Sequence, residues 1–299
     1  MRRGFFTHSR LLILVALGVL SGLASAQSPQ PAPTAADPAR ILKARNAMRP
    51  LGREARLGPW RLLTDAAMGE LTGMDAVAER LASTYTPRYG LAAAPAPGQV
   101  VVIYSSDDRY RRFVESDGAP SFAARGHAGA GLAVFALDIT PVRSRARLVH
   151  ELTHLLSSAA VGTPLPPWLD EGLAEDLAWC RVDAEGRLQP DTVESREIPD
   201  AWIQSARAGK SLPLAALLSP DTRLFANPGT RRDATATSAM LVRWCLGDAV
   251  RAAAFRAFLK SVAKGGAGDA AALAAALGTG APEMQKDFLA WGRQSSGGP

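Results

Sequence analysis

Cysteine is scarce: Cys180 and Cys245 are the only two in 299 residues. That excludes a small scaffold stapled by disulfides, and the lack of any C-x-x-C spacing removes cysteine as a metal ligand. One disulfide or two buried thiols both stay open. Histidine is nearly as sparse, with four, at positions 8, 127, 150 and 154. No block of lysine and arginine is interleaved with aromatics, which argues against nucleic acid as a partner. No repeat of fixed period is present, which argues against solenoids and propellers. Apolar runs are short everywhere except residues 11–24.

That one run has a specific context. Arg2, Arg3 and Arg10 precede LLILVALGVLSGLA, and Ala24-Ser25-Ala26 follows, ahead of Gln27. A basic start, an apolar run too short for a comfortable span and a small-residue cleavage site form a secretory signal peptide pattern. An exported protein is expected, periplasmic or secreted, with no stable membrane insertion after cleavage. Residues 1–26 hold three arginines and no acid, so the net charge of +6 falls to about +3 without them. The high isoelectric point therefore overstates the basicity of the mature chain. The remaining length suits one large domain or two small ones.

What the chain does have is concentrated in residues 141–180. His150, Glu151 and His154 form an H-E-x-x-H match, and Glu171 follows in the run Trp168-Leu169-Asp170-Glu171-Gly172. On a helix, positions i and i+4 point the same way, so both imidazoles can reach one ion. Glu151 lies one residue round from His150, where its carboxylate suits a general base acting on water. The local sequence predicts that helix. Thr140 is a candidate N-cap, Pro141 suits the first turn, and Gly162 and Pro164 end it. Leu148, Leu152, Leu155, Leu156 and Ala159 supply a core-facing stripe. A second helix is expected to open at Asp170. Catalytic zinc usually takes three protein ligands and leaves a fourth place for water, which makes Glu171 the third ligand. Glu175, one turn on, is placed to accept a hydrogen bond from the far nitrogen of a ligand histidine.

HELTH followed by PPWLDEGLAED resembles the gluzincins, the glutamate-ligand zinc metallopeptidases, and within them the minimal peptidase-MA-like domain of exported bacterial proteins. The resemblance runs over roughly residues 55–295, with its specific part at 150–176. It implies one zinc per chain on His150, His154 and Glu171, water activated by Glu151, Glu175 supporting a histidine, and a peptide or protein substrate. It also implies that the strand before the zinc helix, Gly131-Leu132-Ala133-Val134-Phe135-Ala136-Leu137, edges the substrate cleft. One departure stands out. Relatives often carry a tyrosine on the helix after the zinc site, and residues 233–246 contain none. Arg231 and Arg232 are candidates for the missing positive or donor group, with Thr235 nearby, and His127 in a Gly/Ala-rich loop is another. The departure keeps a second reading open: a zinc-containing binding or scaffold module of the cell envelope with little turnover.

The rest of the chain predicts an α+β fold: a small mixed sheet packed on the H-E-x-x-H helix, then a mostly helical half. Strands are expected over 59–64, 100–104 and 131–137, and helices over 66–85 and 107–115. A hairpin is expected over 179–188. Helices follow at 212–218, 233–246, 252–262, 270–277 and 282–291, with a loop over 221–229 that roofs the cleft. The expected organisation is a signal peptide (1–26), a disordered linker (27–38), a basic helical segment broken at Pro50 (39–57), a zincin-like catalytic subdomain (58–180), a helical C-terminal subdomain (181–294) and a tail (295–299).

Overall fold

The structure, a computed structural model, describes residues 35–118, 126–193 and 197–294. The expected signal peptide, most of the linker and the tail lie outside those residues. The fold is α+β. Its main sheet holds five strands: β1 (Arg53–Leu57), β2 (Trp60–Thr64), β3 (Val100–Tyr104), β4 (Gly126–Gly129) and β5 (Leu132–Ala136). Their order is β1-β2-β3-β5-β4, with β2, β3 and β5 parallel and the two outer strands antiparallel to their neighbours.

Both faces of the sheet are covered, which is why β3 and β5 read as unbroken apolar runs. Side chains alternate between the faces. Leu62, Val101, Ile103, Ala133 and Phe135 join the larger core with α2 (Met74–Tyr89) and α4 (Pro141–Val161). Leu63, Val100, Val102, Tyr104, Leu132, Val134 and Ala136 join a second core beneath α1 (Pro38–Met48) and α3 (Asp107–Asp117).

Two local expectations change. Residues 39–57 are not one interrupted helix: α1 stops at Met48, and residues 53–57 form β1, pairing along β2. Proline at 50 disfavours helix in the residue before it, and the free backbone beyond it is taken up by the sheet. The loop around His127 is a strand, β4, which glycine and alanine gave no propensity to reveal. Of the linker, residues 35–38 belong to the fold: Ala36 is buried, its N–H donates to the Gly98 carbonyl at 3.0 Å, and Asp37 caps α1.

The remaining elements are helical apart from a hairpin. They are α5 (Pro167–Ala178), β6 (Cys180–Val182), β7 (Leu188–Val193), α6 (Glu197–Arg207), α7 (Leu214–Leu217), α8 (Arg223–Ala226), α9 (Pro228–Leu246), α10 (Ala249–Val262), α11 (Ala270–Ala276) and α12 (Ala281–Gln294). Helix α6 and the one-turn α8 were not expected. No helix among the described residues is long and apolar enough to cross a membrane. Cys180 and Cys245 are both free and buried, so of the two readings for the cysteines the buried thiols hold.

Candidate metal centre

Helix α4 forms for the reasons its sequence offers. The Thr140 hydroxyl accepts from the Arg143 N–H, Pro141 fills the first turn, and Gly162 adopts the left-handed conformation that closes the end. Leu148, Leu152, Leu155 and Leu156 are buried against the sheet and α2. That fixes the rotation of α4 and turns His150, Glu151 and His154 toward α5.

Helix α5 brings the third group. The Nε2 atoms of His150 and His154 lie 3.1 Å apart, and His150 Nε2 is 3.6 Å from Glu171 Oε2. The three donor atoms all fall within 4.8 Å of one another. Two imidazoles and a carboxylate at that spacing could hold one metal ion. The spacing itself sets the fit: three atoms can each approach one ion at about 2.0–2.2 Å with small side-chain adjustments.

Acidic neighbours back both histidines. Glu175 Oε1 stands 3.7 Å from His150 Nδ1, and its other oxygen accepts from the Trp179 indole at 2.6 Å. Asp170 Oδ1 stands 3.0 Å from His154 Nδ1, a close charge contact off the line of a well-directed hydrogen bond. The sequence reading missed Asp170 in this role and treated it as helix-terminal charge. Its position directly before Glu171 on the same helix was the available signal.

Burial and charge set the protonation of the protein groups. Burial raises Glu151 to about 8, and the Glu171 carboxylate adds to this. Burial raises Glu175 to about 7 and also raises Glu171. Burial lowers His150, and His154 and Arg231 reinforce the shift. For His154, burial works downward but Asp170 and the neighbouring glutamates outweigh it, giving about 10. Glu151 Oε2 is buried without a hydrogen-bond partner. Its Oε1 lies against β4, where a Cβ on Gly126 would overlap it. Glycine at 126 is therefore what lets the carboxylate reach the edge strand, a second feature the sequence did not disclose.

The packing behind α5 explains its D-E-G run. A Cβ on Gly172 would sit 3.0 Å from the Ser238 carbonyl and from Val242 Cγ2 on α9, so glycine sets how closely the two helices approach. One turn on, the buried Asp176 accepts from Tyr89 at 2.7 Å and from Arg88 at 2.9 Å, and pairs with Arg243 at 3.2 Å. Burial alone would raise Asp176, but the two guanidiniums and the phenol hold it below its ordinary value. This cluster bolts α5 to α2 and α9. Asp176→Asn takes the buried countercharge from two half-buried cations, and unfolding stability is expected to fall by about 3–5 kcal/mol in chemical denaturation. A loss under 1 kcal/mol would mean the cluster anchors nothing.

The other candidate residues separate. Arg231, on α9, reaches the cluster, with its guanidinium 3.9 Å from Glu171 Oε1. Arg232 is one residue round, exposed, and turned away from it. Thr235 is buried with its hydroxyl unbonded. Three of the four tyrosine hydroxyls are committed elsewhere: Tyr85 bonds Ser157, Tyr89 bonds Asp176, and Tyr104 donates to the Ala44 carbonyl. Tyr110 meets His127 and also feels the charges of Glu151 and Arg231, which places its hydroxyl near the cluster.

His127 is a correction. It pairs with Val134 in register, and strand alternation turns it to the α1/α3 face, away from the cluster. There it stacks on Phe113 at 5.9 Å, lies 3.1 Å from the Tyr110 hydroxyl, and lies 3.4 Å from Arg40, itself paired with Asp117. Burial, with Arg40 second, lowers it to about 4. The unfolded chain then binds the extra proton, so this contribution is complete above about 6.5 and drains away as pH falls toward 4. Between pH 7 and 5 the wild type is expected to lose on the order of 1–2 kcal/mol more than His127→Gln in urea unfolding. Parallel pH profiles for the two would contradict this.

In comparison with known proteins, the sequence matches no family model and no curated protein.

Proposed function

We propose that the protein is an exported zinc-dependent metallopeptidase of the gluzincin type. The observation that carries this reading is the convergence of His150, His154 and Glu171 around one point, with the Glu151 carboxylate beside it. Zinc in that place supplies Lewis acidity and a water nucleophile at neutral pH. Glu151 takes the proton of the attacking water and passes it to the leaving amide nitrogen. Its raised affinity for protons suits a group that must accept one and then give it up. Arg231 offers positive charge where the carbonyl oxygen becomes anionic, in place of the tyrosine that relatives often use.

The edge strand supports a peptide substrate. The strand on the sheet edge is β4 rather than β5, which the resemblance had implied; β5 lies between β3 and β4. Among the described residues no strand pairs with the outer side of β4, and Gly126 on it touches Glu151. An extended peptide adding there would bring its backbone past the general base.

Digestion of an unfolded protein or a peptide library tests this. Cleavage is expected with added zinc and lost with a chelator or a hydroxamate. The absence of a tyrosine from residues 233–246 favours a second reading, a zinc-containing binding module with little turnover. Stoichiometric zinc with no cleavage of any substrate decides for that module.

A further inference from the structure

A second polar cavity lies on the far side of α9. At about 100° per residue, Thr230, Asp233 and Thr237 fall opposite Arg231, Thr235 and Ser238, which face α5. The body of the helix therefore separates this cavity from the metal-site cluster. It has a volume of about 80 Å³ and is lined by Trp202 and Ser205 of α6, by Lys210 and Leu212 of the following loop, and by Arg232 and Asp233 with neighbours on α9. One water needs about 10–15 Å³ on this measure, so there is room for a small polyatomic ion.

The Thr230 and Thr237 hydroxyls of its wall donate to backbone carbonyls, but other donors there are unspent. The Trp202 ring is fixed from behind, 4.7 Å from Phe288 and pressed on Gly292 of α12. Trp202 is only 3% exposed, yet its indole N–H meets no acceptor. The Ser211 hydroxyl, between the lining residues Lys210 and Leu212, is also buried without a partner. Orphaned buried donors are rare in folded proteins and usually mark a bound water or ion. Neither Lys210 nor Arg232 forms an ion pair among the described residues. Two cations, Lys210 and Arg232, and Trp202 with its unpartnered N–H thus line one small space, against a single carboxylate, Asp233.

We propose that this cavity binds a small protonated oxyanion, phosphate, through Lys210, Arg232 and the Trp202 N–H. Asp233 sets the selectivity. Its carboxylate can accept from the O–H of hydrogenphosphate, whereas sulfate has no proton to offer and is repelled. The proposal is independent of the peptidase reading and survives if that reading fails.

Isothermal titration of the full 299-residue chain with inorganic phosphate, at constant ionic strength, tests it. Saturable binding is expected, with sulfate weaker by about tenfold or more. The exposed double variant Lys210→Gln/Arg232→Gln should abolish binding. Lys260→Gln/Lys286→Gln, which removes the same charge elsewhere, should leave it intact. Trp202→Phe, which keeps a ring on α12 and deletes the donor, should weaken it severalfold. Phosphate acting no differently from chloride, sulfate binding as tightly, or equal losses in both double variants would each overturn the proposal. A parallel titration with glycerol phosphate checks the role of Asp233: above neutral pH the monoester dianion has no proton on its phosphate, so it should bind as weakly as sulfate, and affinity equal to that of inorganic phosphate would overturn the assignment.

Discussion

Glu151→Gln is expected to lower peptide hydrolysis by about 10²–10⁴-fold while zinc content stays at that of the wild type. The amide keeps the shape of the side chain beside Gly126, so the helix and the ligand set are undisturbed. What it loses is the capacity to accept a proton. Glu151 Oε2 is buried without a hydrogen-bond partner, which leaves it open toward a substrate water. The loss should appear in kcat, with little change in KM, because the carboxylate acts on water in the transition state and not on bound peptide. Retention of full activity by Glu151→Gln on a substrate panel would remove Glu151 as the base. Unchanged zinc in both proteins keeps that outcome separate from a failure of the metal site.

The second large effect is on the metal itself. His154→Ala removes one of three donors and is expected to reduce zinc from stoichiometric to background in elemental analysis. Asp170→Asn should act more gently, weakening affinity by about 10–100-fold in competition with a chelator, because Asp170 orients the ring without contributing a donor atom. Zinc uptake must also displace the proton that Asp170 and the nearby glutamates hold on His154, so affinity should fall as pH is lowered. The ordering of these variants is the informative part. If His154→Ala retains stoichiometric zinc, the convergence of the three residues is an accident of packing and the enzyme reading falls with it.

The tyrosine gap bears on how much turnover to expect. Three of the four hydroxyls are committed elsewhere, Tyr110 lies within reach of the charges of Glu151 and Arg231, and Arg231 is a cation that reaches Glu171. A guanidinium can donate to an oxyanion as a phenol does, and it brings a full charge. Its contact with Glu171 also holds part of that charge back for the ligand.

By itself the sequence determined the local elements. Caps, prolines and the leucine stripe define α4 to the residue at both ends, and the i, i+4 spacing puts two imidazoles on one face. Such signals act within a few turns of chain, so they survive without knowledge of the fold. Tertiary structure decided what depends on distant partners. The Gly-His-Ala-Gly run became a strand only because β5 offered it a ladder, and that pairing put Gly126 against Glu151 and His127 on the other face. Residues 53–57 left the helical pattern of α1 for the same reason. The sequence put Asp170 beside Glu171 but did not say which ring it would meet. That followed from how deeply Gly172 lets α5 settle on α9 and from the Asp176 cluster that locks it there. A one-residue change of register inverts the faces of a strand, and no local pattern of small residues fixes that register.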